Sequence, residues 1–448
     1  MKFARPTLSV LGVLALGACA GDPVSPTAAG GAPALSTTSA ALAVNVLLTG
    51  PLTAANRAEL ARFGRVHSEI PEINALTMRV QASQLAALEA LPFVAAAGPD
   101  QERTAVPVDA SALASFAATG INSWNQDAIN VTNHGEAGRT VAFDGTGVYV
   151  GVLDTGLLNS WRQYFPAARI ATAFARSFTG SDNGTVAEQP NKWEQDQDSH
   201  GTHVTSTILG YSLRGTPVNG TAPNATVIPV KVLNQNGSGW SSMIAAGIMH
   251  IAELKAGALR GHPVVINMSL GGPSLDAVEK AAIDYAVDKG VIIVASAGNS
   301  GMRGMGYPGA YAPVISVASV AWKNLFTNPL TWRGDVAEND LSQFTISTFS
   351  SRALGGQQLD VAAPGQGVVG PYQTNGGQLA YYYLSGTSMA SPHVAGIVAL
   401  MAQKRPSLTP AAAEAIVKGA AKAIPGFGAE AQGLGMITAD AALAATTP

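Results

Sequence analysis

Gly147-Val148-Tyr149-Val150-Gly151-Val152-Leu153 is seven residues without one charged side chain and without polar alternation. A strand with one wet face alternates apolar and polar side chains, so an unbroken run reads as a strand buried on both faces. Four more runs of this kind follow: Val227-Ile228-Pro229-Val230-Lys231-Val232, Val264-Val265-Ile266-Asn267-Met268, Val291-Ile292-Ile293-Val294-Ala295 and Val314-Ile315-Ser316-Val317. Helical periodicity over 203–209, 242–256 and 275–289 separates several of them. Buried strands alternating with helices predict an α/β protein with a mainly parallel sheet covered on both faces. No internal repeat is present.

In open parallel sheets the functional groups collect beyond the carboxyl ends of the strands. Asp154-Thr155-Gly156 follows the first strand. Ser269-Leu270-Gly271-Gly272 follows the third, and Ser296-Ala297-Gly298-Asn299-Ser300 the fourth. Asp198-Ser199-His200-Gly201-Thr202-His203 opens a helix, and Gly386-Thr387-Ser388 opens an Ala-rich apolar run through Met401. Singly, these have bland readings. Asp154 is a turn residue, Asn299 a turn amide, and Ser388 an N-cap.

Together they have a chemical reading. A serine hydroxyl is a weak nucleophile until a base takes its proton. His200, with an ordinary pKa near about 6.5, suits that task. Asp154 suits the acceptor that fixes the imidazole tautomer. Asn299 and the backbone N–H of Ser388 would supply the donors that a tetrahedral oxyanion needs. The order Asp154, His200, Ser388 is one of three chain orders in which this triad recurs.

The motifs resemble those of the subtilisin-like serine proteases. Val152-Leu153-Asp154-Thr155-Gly156 is similar to the family's Asp motif, and His200-Gly201-Thr202-His203-Val204 to its His motif. Gly386-Thr387-Ser388-Met389-Ala390-Ser391-Pro392-His393-Val394-Ala395-Gly396 resembles its Ser motif nearly residue for residue. The resemblance implies a three-layer peptidase domain over 124–448, cleaving peptide bonds through Asp154, His200 and Ser388, with Asn299 as oxyanion donor. It implies substrate-binding segments at Ser238-Gly239-Trp240, Ser269-Leu270-Gly271 and Ala297-Gly298. Gly306 would leave room for an apolar side chain of medium to large size. No cofactor is required for the chemistry, and the partners are protein or peptide substrates.

The N-terminal third reads as the rest of a precursor. Residues 43–100 follow the order β-α-β-β-α-β, a small ferredoxin-like α+β unit, and are similar to the family's propeptide, a chaperone and inhibitor of its own enzyme. Residues 101–123 lack periodicity and read as a linker holding the processing site. Lys2 and Arg5 precede an apolar run over 8–18 that is too short to span a bilayer, so 1–19 read as a signal peptide. Leu16-Gly17-Ala18-Cys19 resembles a bacterial lipobox, and Cys19 is the single cysteine of the chain. The other reading is an ordinary cleavage site with a chance cysteine. Residues 20–42 are a Pro-, Gly- and Ala-rich tether. Export to the cell envelope or medium follows on either reading, and a lipid anchor would stay with the precursor.

The composition agrees. Charged residues make up 12% of the 448 and the apolar fraction is 47%, a packed globular profile. A net charge of −3 gives no reason to expect nucleic acid or an anionic membrane. Three further expectations attach to particular segments. The acids of Lys192-Trp193-Glu194-Gln195-Asp196-Gln197-Asp198 read as a solvated loop, with structural calcium as the alternative, although no metal-binding residues can be named. Residues 322–338 read as a surface insertion. His203 and His393 read as packed histidines, and His67, His134, His250 and His262 as ordinary ones. Rival functions are a serine esterase, whose Gly-x-Ser-x-Gly elbow fails at Ala390, and a catalytically silent peptide-binding lipoprotein. A serine-carboxyl peptidase would need Glu in place of His200.

Overall fold

The computed structural model describes residues 40–105, 107–112, 122–133, 139–180, 184–327, 331–337, 340–373 and 379–448. The segment read as a signal peptide, Cys19, nearly all of the segment read as a tether, residues 106 and 113–121 of the linker, and His134 lie outside the described residues.

A first unit is built from β1 (Ala41–Leu48), α1 (Ala54–Leu60), β2 (Gly64–Ile70), β3 (Ala75–Gln81), α2 (Leu85–Glu89) and β4 (Val94–Pro99). Its sheet runs β2-β3-β1-β4, all antiparallel. One face buries a small core around Val44, Val46, Leu60, Leu76, Met78 and Leu88. Leu47, Ile70 and Ile73 pack instead on the core of the larger unit.

The described residues of 101–123 carry more regular structure than their sequence implies. They hold β5 (Glu102–Thr104) and β6 (Asp109–Ala112). Neither strand has a pattern of its own, because each is set by the edge it pairs with.

The larger unit begins with α3 (Trp124–Ala128) and β7 (Tyr149–Asp154). A hairpin pairs β8 (Arg176–Gly180) with β9 (Val186–Glu188) before α4 (His200–Leu209). A second hairpin, β10 (Gly210–Leu213) with β11 (Thr216–Asn219), precedes β12 (Thr226–Lys231) and β13 (Ser238–Trp240). Then come α5 (Ser241–Ala256), β14 (Val264–Met268), α6 (Ala277–Asp288), β15 (Ile292–Ser296), β16 (Ile315–Trp322), β17 (Phe344–Ile346) and β18 (Val361–Pro364). The chain ends with β19 (Val368–Gln373), β20 (Leu379–Ser385), α7 (Thr387–Lys404), α8 (Pro410–Ala420), α9 (Ala429–Gln432) and α10 (Ala439–Ala445).

The main sheet has the order β17-β16-β15-β14-β7-β12-β8-β9, and β18 also pairs with β16. Its central pairs are parallel, with β7 between β12 and β14. The two faces carry separate cores. Val150 and Val152 face the layer that holds α4 and α7, while Leu153 faces that of α5 and α6. Gly151 is required by the second layer, since a Cβ there would lie 2.9 Å from Ile251. This is the three-layer α/β arrangement that the apolar runs predict.

Among the described residues of 322–338, those from Lys323 to Thr327 are mostly exposed, but Trp332 and Val336 depart from the reading as a surface loop. Trp332 is fully buried and Val336 nearly so. Val336 N–H donates to Asp127 Oδ2 at 2.8 Å, and Trp322 stacks on Trp124 at 6.3 Å between ring centroids. An isolated tryptophan in a polar stretch has no periodicity to announce it, but its apolar area drives it inward. Among the described residues no helix is long and apolar enough to cross a membrane.

Candidate active site

Asp154 ends β7 and His200 begins α4, both fully buried. His200 Nδ1 lies 2.9 and 3.0 Å from the two Asp154 oxygens. A proton on Nδ1 therefore faces the carboxylate, and Nε2 keeps its lone pair. Nε2 has no hydrogen-bond partner among the described residues. Burial disfavours the imidazolium, but the Asp154 charge and hydrogen bond more than offset this and raise the His200 pKa above its ordinary value.

The turn into α4 needs support. Ser199 sits at φ +80°, a left-handed conformation uncommon for a residue with a side chain. Asp196 holds it there, accepting from the Ser199 N–H at 2.7 Å and the Thr202 hydroxyl at 2.8 Å. Asp198 accepts from the His200 N–H at 3.1 Å, and burial pushes its pKa up to about 6. Asp196 and Trp193 are buried while Lys192, Gln195 and Gln197 stay exposed, so only part of 192–198 is the solvated loop that its charge suggests. These carboxylates accept from backbone and hydroxyl donors. Among the described residues no group of three or more His, Cys, Asp or Glu could hold a metal ion.

Ser388 lies in the first turn of α7, whose cap residue is Gly386. It is not the cap, and its hydroxyl donates to Ser269 O at 3.2 Å. Its N–H belongs to the first helical turn, where amides lack intrahelical partners. Pro392, four residues on, has no N–H for the Ser388 carbonyl. Ser269 Oγ donates to that carbonyl at 2.7 Å in its place. Ser269 Oγ accepts in turn from Asn267 Nδ2 at 3.0 Å, and Asn267 Oδ1 accepts from Ser391 Oγ at 2.7 Å. The end of β14 is thus tied to the start of α7. Asn299 Oδ1 accepts from both the N–H and the hydroxyl of Thr387, each at 2.9 Å. The amide nitrogen is left on the Gly386 side, 3.4 Å from where a Cβ on Gly386 would stand.

A cleft of about 520 Å³ gathers Ser388, Thr387, Asn299, Gly298, Leu270, Gly271 and Gly306. Ala297 does not line it. It is fully buried, and its carbonyl accepts from Gly306 N at 2.9 Å, so it supports the cleft from behind. Ser238, Gly239 and Trp240 lie instead on a neighbouring cavity of about 310 Å³.

The subtilase family (Peptidase_S8) matches the chain over residues 145–436. The chain belongs to the subtilase family. It is 36% identical to subtilisin DY of Bacillus licheniformis over 271 residues, which cover 60% of this chain and 81% of that one. It is 31% identical to thermitase of Thermoactinomyces vulgaris over 58% of this chain and 77% of that one. The solved structure of sphericase superposes with a TM-score of 0.55 at 31% identity, covering 72% of this chain and 99% of sphericase. The protein is accordingly a serine endopeptidase, of a family whose chemistry needs no cofactor.

In this subtilase the remaining described histidines are elsewhere or spent. Burial lowers His203 to about 3 and His393 to about 4, so both are neutral. His203 Nε2 meets Val368 O at 3.1 Å, and His393 Nδ1 meets Met389 O at 2.8 Å. His67, His250 and His262 contact Thr185, Phe174 O and Gly147 O.

The tail of the N-terminal unit, residues 102–105, also enters this region, a feature invisible in the linker's composition. Strand β5 pairs antiparallel with β13, matching Ser238 to Thr104, Gly239 to Arg103 and Trp240 to Glu102. On its other side Thr104 exchanges two backbone bonds of 3.0 Å with Gly271. Thr104 and Ala105 line the same cleft as Ser388. Beyond it, Val108 N–H donates to Ser385 O at 2.7 Å, and β6 pairs with β20.

Proposed function

We propose that Ser388 is the nucleophile, His200 its base and Asp154 the group that orients and charges the base. The observation that carries this is the free Nε2 of His200, with Nδ1 committed to Asp154 and the Ser388 hydroxyl on the same cleft as the chain's tail. Ser388 Oγ turns from the Ser269 carbonyl toward Nε2, gives up its proton, and bonds to the substrate carbonyl carbon. The carbonyl π pair moves onto oxygen, and Asn299 Nδ2 with the Ser388 N–H stabilises that charge. Collapse expels the amine, which takes the proton from His200, and leaves an ester on Ser388. Water, deprotonated by His200, repeats the sequence and frees the acid. Substrate binds as an added strand between Ser238-Gly239-Trp240 and Ser269-Leu270-Gly271.

The first substrate is this chain. Residues 102–105 lie as a strand between those two edges, Thr104 and Ala105 line the cleft that Ser388 lines, and Val108 is held at Ser385, three residues before the serine. The processing bond therefore falls between Ala105 and Val108, within the linker 101–123. Residues 43–100 then act as the folding template and inhibitor. Asn45 of β1 supports this by donating to Asp100 and Asp276, both at 3.0 Å, beside the starts of α5 and α6. Export through 1–19 agrees with relatives such as the extracellular protease of Xanthomonas campestris pv. campestris, and any lipid on Cys19 leaves with the propeptide.

A fluorophosphonate probe tests the assignment. Processed wild-type protein is expected to take one label that competes with peptide substrate, and Ser388→Ala protein none. Labelling that survives Ser388→Ala overturns it.

A further inference from the structure

The tail shows which side chains the cleft selects. Along β5 the side chains alternate, with Glu102 and Thr104 exposed and Arg103 fully buried. Arg103 therefore points inward from the strand that occupies the substrate edges. Its Nε donates to Glu279 Oε1 at 3.3 Å, and one Nη donates to Glu279 Oε2 and to Ser274 O at 2.9 Å. The second Nη donates to Glu102 O at 3.1 Å.

Glu279 is built into the wall. It stands in the first turn of α6, fully buried, with its N–H held by the capping Asp276 at 2.9 Å. Gly272 completes the channel. A Cβ there would lie 2.6 Å from Arg103 Nη1 and 2.5 Å from Glu102 O, so no larger residue lets the guanidinium lie flat. A carboxylate, a carbonyl and a bare backbone surface thus converge on one planar cation. When the tail departs, a fully buried acid is left without its partner, which is costly unless another cation replaces it.

Resting on the protease reading above, we propose that this pocket is an arginine-selective subsite of the processed enzyme. The selected residue is the one opposite Gly239, immediately before the residue that pairs with Gly271. Substrates are then proteins and peptides carrying arginine at that position, and Arg103 makes the tail a substrate-like inhibitor. Lysine fits less well, since an ammonium cannot fork to both Glu279 oxygens and Ser274 O.

The test uses processed wild-type enzyme and quenched peptides in the frame Gln-Glu-Arg-Thr-Ala-Val, with cleavage positions read by mass spectrometry. The arginine is replaced by lysine, glutamine or leucine. The arginine peptide is expected to exceed the leucine and glutamine peptides by at least about tenfold in kcat/KM, with lysine between. Processed Glu279→Gln enzyme is expected to lose that ranking. Equal kcat/KM for arginine and leucine in the wild type, with peptides still cut, overturns the subsite and leaves the protease reading standing. A ranking retained in Glu279→Gln also overturns it, and failure to cut any peptide overturns both.

Discussion

Replacing Asn299 by alanine removes one of the two donors assigned to the oxyanion. The magnitude follows from how the amide is held. Its oxygen accepts two bonds of 2.9 Å from Thr387, and the Thr387 hydroxyl accepts from Gly298 N at 3.1 Å. These contacts fix the side chain before substrate arrives, so its Nδ2 donor needs no reorganisation as charge develops. Loss of one such preorganised donor costs about 3–4 kcal/mol of barrier, which is a fall of roughly 10²–10³ in kcat. KM is expected to stay close to wild type, because the donor serves the transition state more than the bound peptide. Two assays read this. One is the rate of self-processing after refolding, a single turnover that needs no mature enzyme. The other is steady-state kcat and KM on a peptide once processing is complete. Thr387→Val keeps the backbone donor and loses the hydroxyl, so it is expected to fall between wild type and Asn299→Ala. A drop in kcat below about threefold, or a loss carried wholly by KM, refutes the reasoning.

Asp154→Asn is expected to lower kcat by about 10⁴, since an amide no longer fixes the imidazole tautomer. The same variant tests the titration. Burial works against the imidazolium and Asp154 outweighs it, so the wild-type His200 holds its proton to higher pH than a free imidazole. The rise of kcat/KM is then centred above about pH 6.5 in the wild type. In Asp154→Asn it moves to lower pH; a midpoint that stays put contradicts the pairing. Trp332→Ala empties a fully buried site and is expected to cost about 3–5 kcal/mol, read as a lower midpoint in urea. Asp196→Ala orphans the buried donors of Ser199 and Thr202, and is expected to lower stability by at least about 1–3 kcal/mol, with activity lost alongside.

What the sequence declares, and what it withholds, divides along physical lines. The strands of the main sheet are legible because burial on both faces makes them mostly apolar, with few polar positions such as Asn267 and Lys231. Asp154, Asn299 and Ser388 are legible because they stand where such strands end or helices begin. The Ser269 hydroxyl is less so, because its task depends on Pro392, over a hundred residues away, lacking an N–H. Strands β5 and β6 are too short to carry a period, and form only because an edge is waiting for them. Glu279 reads as an ordinary acid in a helix's first turn, where the dipole favours negative charge on the surface. Only the fold brings Arg103 to it and shows both buried. Asp196 looks solvated for the same reason, since its partners are backbone amides and the Thr202 hydroxyl, which no pattern advertises.

The most direct measurement of the central assignment is the intact mass of refolded precursor. Wild-type chain is predicted to give two fragments, with the new N-terminus at Val106, Pro107 or Val108. Ser388→Ala chain is predicted to remain one uncut mass. Cleavage of the Ser388→Ala chain at the same bond and rate would contradict the account.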